Sequence, residues 1–287
     1  MSSITGKTRI CGIIGDPIEH SMSPAMHNAA FRALGLDYAY LPFRVRREEL
    51  QNAVAGLRAL NVVGLNVTIP HKVAVMSFLD KLDPLAERMG AVNTIVNDDG
   101  RLTGYNTDAP GFLQAMRSKN IEPEGKNIVI LGAGGASKGI SFILAGAGAS
   151  LAILNRTLSR AEELATQVSQ ICQRRVKAVA LNEKNMARAL DGADILVNTT
   201  SVGMVPGVEQ TPVPAALLKP HLVVFDIVYN PLETRLLREA KAAGARTIDG
   251  LDMLVGQGAL AFEKWTGQKA PLAVMKQAAV KALKNEG

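Results

Sequence analysis

Short apolar runs alternate with helix-length amphipathic segments along almost the whole chain, the pattern of parallel sheets wrapped in helices. In the N-terminal part the pattern predicts strands at 9–14, 38–43, 62–69 and 91–97, with helices near 24–34, 47–59 and 71–80. The turn Asn97-Asp98-Asp99-Gly100 then links the last of these strands to a short partner ending near Asp108. From residue 127 the alternation restarts: strand NIVIL, a glycine loop, a helix, strand LAIL, helix 158–171, strand VKAVA, a helix, strand DILVN and strand LVVFDIV. Two final helices, about 252–265 and 271–284, have no strand after them.

The restart sets the expected organisation: α/β, with a first α/β domain over 1–112, a doubly wound Rossmann-type domain over 113–251, and C-terminal helices over 252–287 that return to the first domain. A chain of 287 residues is long enough for two cores. No apolar run reaches the length of a membrane span, and MSSITGKTRICGIIG carries no cleavage-site pattern, so a cytoplasmic location is expected. Two cysteines, Cys11 and Cys172, imply neither a disulfide framework nor a metal site. The net charge of +6 does not point to nucleic acid, because the basic residues are dispersed and few aromatics accompany them; a small anionic ligand would use the same surplus.

Strand NIVIL runs into Gly132-Ala133-Gly134-Gly135-Ala136, where the bare backbone lets a pyrophosphate reach the amides of the following helix. Ser137 stands where a third glycine is usual, which requires the helix and strand to lie slightly further apart. The second strand of the unit ends not in a carboxylate but in Asn155, followed by Arg156, Thr157 and Arg160. A carboxylate there would accept from a ribose 2′-hydroxyl and repel a 2′-phosphate; a neutral or cationic set reverses that preference and favours NADP. The competing reading is a solvent-facing helix start capped by Thr157.

In Leu65-Asn66-Val67-Thr68-Ile69-Pro70 strand alternation puts Asn66 and Thr68 on one face, suggesting a ligand wall, with Lys72 just past the strand's end. Asn93 lies in another such strand. Asp108 precedes a helix with Pro110 in its first turn and reads equally as an N-cap. Ser23 before Pro24 reads as a helix cap, whereas capping leaves Ser21 unexplained; two hydroxyls beside a helix N-terminus suit a carboxylate.

Read in order, HSMSP (20–24), NVTIPHK (66–72), GAVNTI (90–95), GYNTDAPGF (104–112), GAGGAS (132–137), NRTLSRAEELA (155–165), NTTSVGM (198–204) and GLDMLVGQGALAFEKWTG (250–267) resemble the shikimate dehydrogenase family nearly end to end. The resemblance implies reduction of 3-dehydroshikimate to shikimate with NADPH, on the way to aromatic amino acids. It assigns Ser21 and Ser23 to the substrate carboxylate, and Thr68, Asn93, Asp108, Tyr229 and Gln257 to its hydroxyl groups. It makes Lys72 and Asp108 the catalytic pair. It gives the cofactor Gly132, Ala133, Gly134, Gly135 and Ala136, the segment Asn155 to Arg160, Ile227 and Gly250. Without the resemblance, Tyr229 reads as a strand-end tyrosine and Gln257 as an exposed helix residue. No metal is implied, and a homodimer stays open. Quinate oxidation with NAD, or non-catalytic dinucleotide sensing, are the alternatives.

Overall fold

A computed structural model of the protein describes residues 4–286. They form two compact units, one of residues 4–107 with 255–286 and one of residues 108–254. The first unit opens with β1 (Arg9–Gly15), α1 (Ser23–Ala33), β2 (Tyr38–Arg44), α2 (Leu50–Ala59), β3 (Gly64–Val67), β4 (Lys81–Leu82), α3 (Pro84–Met89), β5 (Thr94–Asp98) and β6 (Arg101–Tyr105). The second contains α4 (Asp108–Ser118), β7 (Asn127–Leu131), α5 (Gly135–Gly146), β8 (Ser150–Asn155), α6 (Leu158–Cys172), β9 (Val176–Ala180) and α7 (Glu183–Asp191). It continues with β10 (Ile195–Asn198), β11 (Val223–Asp226), α8 (Arg235–Ala242) and β12 (Arg246–Ile248). Helix α9 (Gly250–Thr266) begins in the second unit and ends in the first, to which α10 (Leu272–Glu286) also belongs.

The first sheet has the order β2-β1-β3-β5-β6-β4 and is mixed, not parallel as the alternation predicts. β1 pairs in parallel with β2 and β3, but β5 is antiparallel to both β3 and β6. The hairpin at 97–100 sets the β5–β6 pair, since a two-residue turn can join only antiparallel neighbours. Asp99 and Gly100 take φ values of 47° and 89°, and the Gly100 amide donates to Asn97 Oδ1 at 2.8 Å. The predicted helix 71–80 is instead a 3₁₀ turn at Ala74–Phe78. His71 is buried and donates from Nε2 to the Val45 carbonyl at 2.7 Å, and the Asp80 amide donates to the Leu102 carbonyl, so both ends of the predicted helix are tied to other segments. Asp83 caps the unpredicted α3 by accepting from the Leu85 amide.

Every residue of β3 is buried. Leu65 and Val67 pack with Ile14, Ile95 and Leu102 against Val54 and Leu57 of α2, each fully buried aliphatic side chain contributing about 1.5–3 kcal/mol. A separate aromatic layer joins His27 and Phe31 of α1, Tyr40 of β2, and Phe262 and Trp265 of α9. Trp265 donates from its indole nitrogen to the Ile95 carbonyl at 2.9 Å, and a Cβ on Gly64 would collide with that indole. Glycine at 64 is therefore what lets the end of α9 close on this sheet.

The second sheet, β12-β11-β10-β7-β8-β9, is parallel throughout. Strand order reverses between β7 and β10, the switch point where open α/β sheets bind ligands beyond their carboxyl ends. Its core gathers Val129, Leu131, Leu154, Leu196 and Val224 against Leu236 and Leu237 of α8.

Candidate active site

In the second unit β7 runs into Gly132, whose φ of 104° favours glycine and where a Cβ would stand 2.8 Å from Thr199 Oγ1. Ala133 is half-buried, whereas Gly134, Gly135 and Ala136 are exposed, and Gly134 occupies the N-cap of α5 without a side-chain partner for its amides. That helix end is open to an anion. Ser137 is fully buried and donates from Oγ to the Gly132 carbonyl at 2.7 Å. The residue in the third-glycine position thus ties the turn together.

Asn155 ends β8 half-buried, its Nδ2 donating to the Thr157 carbonyl at 2.8 Å. Thr157 occupies the N-cap of α6, as the competing reading has it, but its hydroxyl makes no capping bond. Arg156, Thr157 and Arg160 are all exposed beside this helix start. In the same unit Gly250 lies so close to Ile227 that a Cβ would strike the Ile227 carbonyl.

In the first unit the chain leaving β3 is fixed by backbone bonds. The Thr68 amide donates to the Ile14 carbonyl, the His71 amide to the Thr68 carbonyl, and the Val92 amide to the Lys72 carbonyl at 2.8 Å. The Val67 amide donates to the Asn93 carbonyl, so Thr68, Lys72 and Asn93 gather at one end of the sheet. Asn93 is buried, and its amide is held in one orientation. Its Oδ1 accepts from the Thr107 amide at 2.7 Å, and its Nδ2 donates to Thr107 Oγ1 at 2.9 Å and to Gln257 Oε1 at 3.4 Å. Gln257 is 8% exposed, so it is no surface residue of α9.

Asn66 does not form a ligand wall. It is buried, accepting from the Tyr40 phenol at 2.7 Å and donating to the Asn93 carbonyl and to Thr94 Oγ1. Its amide completes an internal network because a buried polar group needs partners. The two serines also exchange roles. Met22 is the N-cap of α1, Ser23 is its first residue, and Ser21 Oγ accepts from the Ser23 amide at 3.3 Å. Ser23 is buried, its hydroxyl meeting the Tyr40 phenol; burial raises the Tyr40 pKa well above its ordinary value and the Ser23 contact opposes that rise. Asp108, the first residue of α4, and Tyr229, after β11, are half-buried residues of the second unit.

Sequence reasoning gave no role to Asn198, Thr199, Thr200 or Asp226. Asn198 and Asp226 are the last residues of β10 and β11, both fully buried. Polar residues closing apolar strands at the carboxyl edge of a parallel sheet were the available signal. Among the described residues no helix is long and apolar enough to cross a membrane, and no group of three or more His, Cys, Asp or Glu side chains could hold a metal ion.

A parallel doubly wound sheet with a bare glycine turn at its switch point defines a dinucleotide-binding protein. The family models narrow this: residues 13–95 match the shikimate dehydrogenase substrate binding domain, 115–252 match shikimate / quinate 5-dehydrogenase, and 250–280 match the shikimate 5′-dehydrogenase C-terminal domain. The chain belongs to the shikimate dehydrogenase family. It is 50% identical over 285 residues to a shikimate dehydrogenase (NADP(+)) of Methanopyrus kandleri, covering 98% of both chains. Among solved structures it resembles a shikimate dehydrogenase in complex with NADP+ at 45% identity and a TM-score of 0.93, covering 98% of this chain and 97% of the other. It also resembles shikimate 5-dehydrogenase of Thermus thermophilus in complex with NADP(H) and shikimate at 40% identity and a TM-score of 0.86, covering 96% and 99%.

Proposed function

We propose that the protein catalyses the reversible, NADP-dependent reduction of 3-dehydroshikimate to shikimate, in the cytoplasm and in the service of aromatic amino acid biosynthesis. The observation that carries this reading is the set of side chains gathered at the end of β3: Lys72 and Thr68 beside an Asn93 whose amide Thr107 and Gln257 hold in place. The glycine turn and the open starts of α5 and α6 fit NADP, with Gly132 to Ala136 at the pyrophosphate and Asn155, Arg156, Thr157 and Arg160 at the 2′-phosphate. Bound NADPH supplies the hydride.

As the ketone becomes an alcohol, negative charge grows on its oxygen; Lys72 stabilises that charge and gives the proton. Asp108 is the second member of the catalytic pair, and in the oxidative direction the pair takes the proton back. Asn93, Thr68, Gln257 and Tyr229 hold the ring hydroxyls. Ser21 and Ser23 hold the carboxylate, a task for which Ser21 keeps its proton, since its oxygen already accepts from the Ser23 amide. Ile227 and Gly250 line the cofactor. Monomer and homodimer are distinguished by sedimentation of the purified chain.

Removing the lysine tests the chemistry. Lys72→Ala is expected to fold, to bind shikimate and NADP, and to lose roughly 100-fold or more in kcat. Activity within a few-fold of the parent would show that another group moves the proton.

A further inference from the structure

Asp226 is a buried ionisable group for which the proposed chemistry has no use. It is 0% exposed, yet its carboxylate accepts from Asn198 Nδ2 at 2.9 Å, the Val228 amide at 3.1 Å and Thr234 Oγ1 at 2.7 Å. Burial pushes its pKa up, and the three donors oppose that rise. The donors come from three segments: the end of β10, the turn after β11, and the residue that caps α8.

One of these segments reaches the glycine turn, and the other two bound the loop that follows β11. Asn198 uses its own Oδ1 to accept from the Thr200 amide at 3.1 Å and the Thr200 hydroxyl at 2.7 Å. Between them Thr199 donates to the Leu131 carbonyl at 2.6 Å and closes on Gly132. The Asp226–Thr234 bond shuts the base of the loop 227–233, whose middle is tied by the Val205 amide to the Asn230 carbonyl at 3.2 Å. Ile227, the first residue of that loop, faces Gly250 across a gap too small for a Cβ. A dinucleotide lies across the switch point of such a sheet, one half over each set of strands. If Asn155 on β8 reads the adenosine ribose, the nicotinamide half lies over the ends of β10 and β11.

We propose that Asp226 is a positioning residue, a clasp that holds segments 198–201 and 227–229 as the wall of the nicotinamide half-site without touching the cofactor. The proposal rests on the reading of NADP as cofactor. Thr234→Val keeps the side-chain shape and removes the donor, whereas Thr234→Ser keeps both the donor and the helix cap. Calorimetric titration with NADP and with adenosine 2′,5′-bisphosphate, which lacks the nicotinamide half, separates positioning from general support of the fold.

For Thr234→Val, NADP binding is expected to weaken about threefold or more and kcat to fall about fivefold or more. Adenosine 2′,5′-bisphosphate should bind within about twofold of the parent, and Thr234→Ser should behave as the parent. If Thr234→Val does not fold, Thr234→Ala, which also removes the donor to Asp226, carries the same expectation. Equal weakening of both ligands would overturn the clasp in favour of a purely structural role, and so would NADP binding and kcat unchanged from the parent. Failure of the parent itself to bind adenosine 2′,5′-bisphosphate would instead overturn the cofactor reading beneath it.

Discussion

Asn155 and Arg156 stand where a carboxylate would select NAD, and the turn they begin leaves Arg156, Thr157 and Arg160 exposed around a helix start that no side chain caps. A 2′-phosphate would find cationic and hydroxyl donors there and no repelling charge. Asn155→Asp with Arg156→Ala is expected to narrow the NADP over NAD preference in kcat/KM at least tenfold, about 1.4 kcal/mol, and to leave the KM for shikimate unchanged. An unaltered cofactor ratio would move phosphate recognition elsewhere. At this scale the chemistry-bearing residue types were legible from motif and strand-end position, while their bonding was not. Ser23 reads as a cap because serine before proline usually is one, but the chain enters α1 one residue earlier and Ser21 takes up the Ser23 amide. Asn66 reads as a wall because its partner Tyr40, 26 residues away, is invisible to strand alternation.

Helix α1 places His27 in the aromatic layer, its ring stacked on Tyr40 at 4.4 Å and flanked by Phe31, Phe262 and Trp265, with neither ring nitrogen hydrogen-bonded. Burial lowers its pKa to about 3. The unfolded chain, with an ordinary histidine pKa of about 6.5, therefore binds this proton more readily than the folded one. Stability is fully present above that value and is lost as pH falls towards 3, by up to about 1.4 kcal/mol per pH unit. His27→Phe removes both the proton site and two unsatisfied nitrogens, so its melting temperature should exceed the parent's at pH 5 by more than it does at pH 7.5. A difference independent of pH would contradict this account of the layer. Elements were legible where the period was long or the burial complete: IVIL, LAIL and ILV are continuous apolar runs because both faces of β7, β8 and β10 are covered. The two-residue β4 and three-residue β12 carry no period to read, whereas the turn that joins antiparallel β5 and β6 was legible in Asn97-Asp98-Asp99-Gly100.

At the scale of the chain, the residues of the proposed reaction fall in both units. Residues 4–107 with 255–286 gather Lys72, Asn93 and Gln257, and residues 108–254 carry the glycine turn, the α6 start and the Asp226 clasp. The net charge of +6 suits the anionic acid and the phosphorylated cofactor together. The family model that spans residues 115–252 covers both shikimate and quinate enzymes, so specificity must come from the side chains. As proposed, the groups around the ring hydroxyls select shikimate while Asn155 and Arg156 select NADP. The most direct measurement is steady-state kcat/KM of the purified protein with shikimate and with quinate, each with NADP and with NAD. Shikimate with NADP should exceed every other pairing by at least tenfold, about 1.4 kcal/mol; equal use of NAD, or quinate oxidised as efficiently as shikimate, would contradict it.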